Sequence, residues 1–103
     1  MAVSQSSGRV RVVRLLHVKE GMEEGFISAY EQVRKRVAAT PGHMGEQLCR
    51  SVDTPGQWML TSEWKDTDAL KQWRTSPEHE ALVKSMNTFL HGDRSTTLFN
   101  IME

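Results

Sequence analysis

Apolar and polar positions alternate from Arg9 to Lys19, with Val10, Val12, Arg14, Leu16 and Val18 on one face and Arg11, Val13, Leu15 and His17 on the other. A period of two predicts a strand with both faces partly covered. Gly21 breaks that pattern, and Met22, Phe26, Tyr30, Val33 and Val37 then recur at three- and four-residue spacing among charged and amide side chains. This predicts an amphipathic helix of about five turns. Thr40-Pro41-Gly42 ends it, because the residue before proline is pushed out of helical geometry and glycine accepts the turn that follows. Alternation returns from Met44 to Val52. The turn sequence Asp53-Thr54-Pro55-Gly56 separates it from the aromatic and branched run Gln57 to Trp64, so these two segments form a hairpin. Asp66 or Thr67 suits the cap of a short helix carrying Leu70 and Trp73. Ser76 followed by Pro77 and Glu78 starts another, so the second helical region is broken near Thr75. Leu82, Val83, Met86 and Leu90 give it an apolar stripe, Gly92 stops it, and Thr96 to Met102 forms a last strand.

The order β-α-β-β-α-β is that of an α+β, ferredoxin-like fold: a four-stranded antiparallel sheet with both helical regions on one face. The other face, with Val13 and Leu15, needs a cover that so short a chain does not supply, and a symmetric homodimer with the sheets face to face is expected.

Length and composition narrow the picture. A chain of 103 residues builds one hydrophobic core, expected over residues 9–103, with the small polar residues Met1 to Gly8 as a loose tail. Thirteen Lys and Arg balance thirteen Asp and Glu, so no basic field exists to gather nucleic acid or anionic lipid. No apolar run is long enough for a signal-peptide core or a membrane helix. Cys49 has no partner for an internal disulfide and is expected as a buried, inert thiol in a reducing, cytoplasmic setting.

Three stretches together resemble one family. They are Ala39-Thr40-Pro41-Gly42-His43-Met44-Gly45 leading into Gln47-Leu48, Ser62-Glu63-Trp64 at the end of the third strand, and Trp73-Arg74-Thr75-Ser76-Pro77-Glu78-His79 entering the last helix. The chain resembles the antibiotic biosynthesis monooxygenase domain, whose members are dimeric α/β barrels of ferredoxin-like protomers. The resemblance implies oxidation of a phenolic polycyclic, polyketide-like metabolite to a quinone by O₂, with no flavin, haem or metal cofactor. Deprotonating the phenol gives an anion able to hand an electron to O₂, so such a protein supplies a base, an apolar cage and stabilisation of negative charge.

Candidates can be set against that list. Trp64 occupies the tryptophan position that the resemblance links to the substrate pocket. Its ring would stack on an aromatic plane and its indole N–H would donate to a substrate oxygen, unless it is a plain core residue. Under the pocket reading, Trp64→Ala weakens aromatic binding and leaves the fold intact. Trp58 and Leu60 share its strand face, and with Trp73, Tyr30 and Met86 they complete the expected substrate-binding set. Arg14, the odd residue on an apolar face, either snorkels to a sheet end or aims into the cavity as an anion partner. His43 and His79 are the candidate bases near the pocket mouth, and His17 and His91 are weaker ones. In polyketide members an asparagine lies four residues before the strand tryptophan, and here that place is Leu60. The alternatives are therefore a non-catalytic module that binds a polyketide intermediate, or a haem-binding relative. The histidine of haem-binding members would fall near Leu82, about one helical turn beyond His79, and their first-strand asparagine is replaced by Arg14.

Overall fold

A computed structural model of the protein describes residues 8–102, so of the expected tail Met1 to Gly8 only Gly8 lies among the described residues. Strand β1 covers Val10–His17, helix α1 Glu23–Val37, β2 His43–Arg50, β3 Gln57–Trp64, α2 Thr67–Arg74, α3 Pro77–Asn87 and β4 Ser95–Asn100. All neighbours pair antiparallel in the order β2-β3-β1-β4. This is the ferredoxin-like arrangement expected from the alternation. None of the helices is long and apolar enough to cross a membrane.

Local chemistry fixes the helix ends where the caps were read. Asp66 accepts from the Ala69 backbone N–H at 2.8 Å, and Ser76 accepts from the His79 N–H at 3.1 Å with Pro77 in the first turn of α3. Each cap satisfies an N–H that the helix itself leaves free. The break between α2 and α3 therefore has two causes, a C-terminal turn at Thr75 and a new cap one residue later. Gly42, with φ +89°, closes the α1–β2 loop against α2, where any Cβ would collide with Ala69.

The core lies between the sheet and the helices in two adjoining clusters. One gathers Leu16, Phe26, Tyr30, Trp58 and Met86, the other Val10, Val12, Val37, Trp64 and Trp73, and Leu82 packs against both. The outer sheet face is only half covered. Leu15 is 37% exposed and Phe99 on β4 is 52% exposed. Cys49 departs from expectation. It is half-exposed rather than buried, because β2 is an edge strand and Cys49 pairs with Met59 on this outer face, away from the helices.

Candidate functional site

Arg14 organises the site. The alternation of β1 turns it, with Val12 and Leu16, toward the helices, and the ladder sets it between Leu60 of β3 and Thr96 of β4. Its Nε is buried and has no hydrogen-bond partner, and among the described residues no carboxylate pairs with it. Burial, and then the positive charges of Arg94 and Arg74, push its pKa below the ordinary arginine value. A guanidinium stays protonated regardless, so the site holds a cation without a counter-ion.

Around it opens a cavity of about 210 Å³, lined mainly by apolar side chains that include Val33, Leu60, Trp64, Trp73, Val83 and Met86. A cavity of about 150 Å³ with apolar walls holds one benzene ring, so this one accommodates a larger aromatic. Its polar groups are Arg14, Arg74, His79, Glu46, Ser62 and Thr96.

Each residue singled out in the sequence has a definite place. Arg14, Leu60, Trp64, Trp73, His79 and Met86 line the cavity, whereas Tyr30, His43 and Trp58 do not. Trp58 packs edge-on against Phe26 with centroids 5.5 Å apart, and the Arg50 guanidinium lies 5.1 Å from its ring, which encloses it within the core. Tyr30 and His43 stand behind the cavity wall at Glu46. His17 and His91 face each other with ring centroids 6.1 Å apart, outside the cavity. Trp64 differs from expectation in two respects. Its Nε1–H already donates to Ser62 Oγ at 3.1 Å, two residues back on the same strand face, so the indole donor is not free for a substrate. Its side chain is 1% exposed and among the largest fully buried ones, so it carries core packing as well as cavity wall.

His79 sits in the first turn of α3 with its ring edge-on to Trp73, centroids 5.3 Å apart. Burial first, then the nearby charges of Arg14 and Arg74, lower its pKa from 6.5. The folded protein thus takes up this proton less readily than the unfolded chain, and as pH falls through 6.5 the unfolded state binds it first. Stability from this group is lost toward acid pH. Urea titrations at pH 7.5 and 5.5 should show a loss in the wild type that is smaller in His79→Gln, and an identical loss in both would place the acid sensitivity elsewhere.

Sequence reading missed Glu46, Ser62, Arg74 and Thr96. Arg74 was within reach as the neighbour of Trp73. Glu46 carried a weaker signal, the glycine before it inside a strand.

The fold and the cavity define the class: a ferredoxin-like α+β protein with an apolar, tryptophan-walled pocket between helices and sheet. The model of the antibiotic biosynthesis monooxygenase family matches residues 9–85, and the chain belongs to that family. It is 46% identical over 87 residues to the 42.8 kDa protein in the whiE locus of Streptomyces coelicolor, covering 84% of this chain and 22% of that protein. It is 40% identical over 87 residues to Protein SchA of Streptomyces halstedii, covering 84% and 23%. The chain thus spans less than a quarter of the length of these curated relatives. Among solved structures, SnoaB of Streptomyces nogalater, a cofactor-independent oxygenase, superposes with TM-score 0.83 at 20% identity, covering 93% of this chain and 95% of that one. That likeness shows the fold.

Proposed function

We propose that the protein is a cofactor-independent monooxygenase that oxidises a phenolic, fused-ring metabolite to a quinone with O₂. The observation that carries this reading is a half-buried guanidinium, its Nε buried and without a partner, facing an apolar cavity walled by two tryptophans. The apolar wall that Trp64 and Trp73 help build offers a face to an aromatic, and Arg14 offers a fixed positive charge to the phenolate formed from it. In a site with little water that charge acts on the substrate at low effective dielectric, lowering its pKa and readying it to give an electron to O₂. The relationship to SchA and to the whiE-locus protein, and the description of SnoaB as a cofactor-independent oxygenase, support the same reading. Oxygen uptake with an anthrone or naphthol is the test, and tight binding without oxygen consumption would refute it.

A second reading, a module that binds a polyketide intermediate without changing it, is favoured by Leu60. It puts an aliphatic side chain in the cavity wall where the resemblance implies an amide.

The active unit in either reading is a homodimer, sheet against sheet. Leu15 lies on the outer face with Val13, and a partner copy would cover both. Leu15→Asp should give a monomer, because an unpaired charge in such an interface costs several kcal/mol. Sedimentation checks this, and a wild type that is already monomeric at micromolar concentration would defeat it.

A further inference from the structure

Glu46 reaches the cavity wall on the same strand face as Leu48, and an irregularity in the strand brings His43 beside it. His43 pairs with Trp64 and Gly45 with Glu63, so the ladder slips and Met44 is the extra residue of a β-bulge. Gly45 has φ +142°, a value that suits glycine. In an unbroken strand, residues three apart point to opposite faces. The bulge returns His43 and Glu46 to the same face, toward the helices. There His43 Nε2 lies 3.2 Å from Glu46 Oε1, each side chain 6% exposed. Tyr30, from α1, hydrogen-bonds to the same carboxylate. The His43 ring is held edge-on against Trp64, centroids 5.2 Å apart.

Glu46 is therefore an acidic side chain nearly removed from water, in the wall of an apolar cavity, whose side-chain partners are an imidazole and a phenol rather than an arginine or lysine. Arg14 lies on the same face, two strands over and two residues along. That is about 12 Å between backbone positions for ordinary strand spacings, the scale of a fused-ring aromatic with an oxygen at each end.

We propose that Glu46 is the proton acceptor of this site, taking the hydroxyl proton from one end of a hydroxyaryl substrate while Arg14 holds an oxygen at the other. The inference rests on the oxygenase reading of the cavity. In the step, the substrate O–H bond breaks, an O–H bond forms on the Glu46 carboxylate, and the electron pair stays on the aryl oxygen. Conjugation through the rings spreads that charge toward Arg14. His79 is worse placed for this role, because a proton accepted there adds a positive charge beside Arg14 and Arg74, whereas protonation neutralises Glu46. His43 and Tyr30 are positioning residues that hold the carboxylate. Burial and Glu46 raise the Tyr30 pKa, so its hydroxyl remains a donor.

The test has a binding arm and a turnover arm. In the wild type, 2-naphthol should quench tryptophan fluorescence with about 10-fold or greater affinity over 2-methoxynaphthalene, the scale of one hydrogen bond to a charged acceptor. Glu46→Gln should shrink that preference several-fold with methoxynaphthalene binding unchanged, and Glu46→Leu should abolish it. In oxygen uptake with an oxidisable naphthol or anthrone, Glu46→Gln should lower kcat by about 100-fold or more, as expected for a lost general base. His43→Gln should shift the pH profile of kcat and leave KM in place. A folded Glu46→Gln protein with wild-type uptake, or a wild type indifferent to the hydroxyl, would overturn the proposal. A hydroxyl preference that depends on Glu46, in a wild type that consumes no oxygen, would support the contact and refute the oxygenase reading instead.

Discussion

Arg14→Leu is expected to lower the rate of phenol oxidation by about 10- to 1000-fold, the range for removing one charge-stabilising donor, and at the same time to make the protein harder to unfold. The two effects share one cause. A half-buried guanidinium whose Nε has no partner destabilises the fold, and a leucine in its place joins Val12, Leu60 and Val83 in an apolar wall. Replacing buried ion pairs by well-packed apolar groups is often neutral or stabilises by about 1–4 kcal/mol, and for a single half-buried charge the gain falls at the low end of that range. The cation also lowers the pKa of a bound phenol, so activity remaining in Arg14→Leu should appear only at higher pH. Arg14→Lys should restore part of the rate, since an ammonium does not reproduce a planar fork. Oxygen uptake across pH and urea titration of the three proteins check this. Unaltered activity with an unaltered pH profile would make the arginine structural.

Trp64→Ala should cost the fold about 3–5 kcal/mol, the usual range for truncating a buried tryptophan, which is a large share of the stability of a domain this size. The ring fills the core beside Val10, Val12 and Trp73, and His43 leans on it. A variant expected from sequence to test binding alone thus tests stability first. Trp64→Phe is the better probe of the pocket. It keeps an aromatic wall and gives up the hydrogen bond to Ser62 Oγ, a loss of about 1 kcal/mol. Thermal unfolding of both variants decides the matter, and a Trp64→Ala protein as stable as the wild type would show that the site collapses around the missing ring.

The sequence was most legible where one local rule acted alone. Val10, Val12 and Leu16 announced the buried face of β1, and Asp66 and Ser76 marked helix starts, because side-chain periodicity and capping depend on near neighbours. Arg14 stood out for the same reason, as a charge in an apolar register. Other features depend on what the fold brings close. Trp58 shares a strand face with Trp64, yet Arg50 and Phe26 enclose it, and only the pairing of β2 with β3 and the packing of α1 place them there. Cys49 alternates like a core residue but falls on an edge strand's outer side. Glu46 was hidden by its chemistry, since an acidic residue in an alternating strand reads as solvent-facing even where, as here, it shares the inward face of Leu48.

Because Met44 is absorbed as an extra residue, loss of its codon would leave His43 two places from Glu46 in a regular ladder, opposite Trp64 and on the same face as before. A lineage of this architecture can therefore carry the same buried dyad at a spacing of two or of three, so comparisons within the family should align strand register before residue identity.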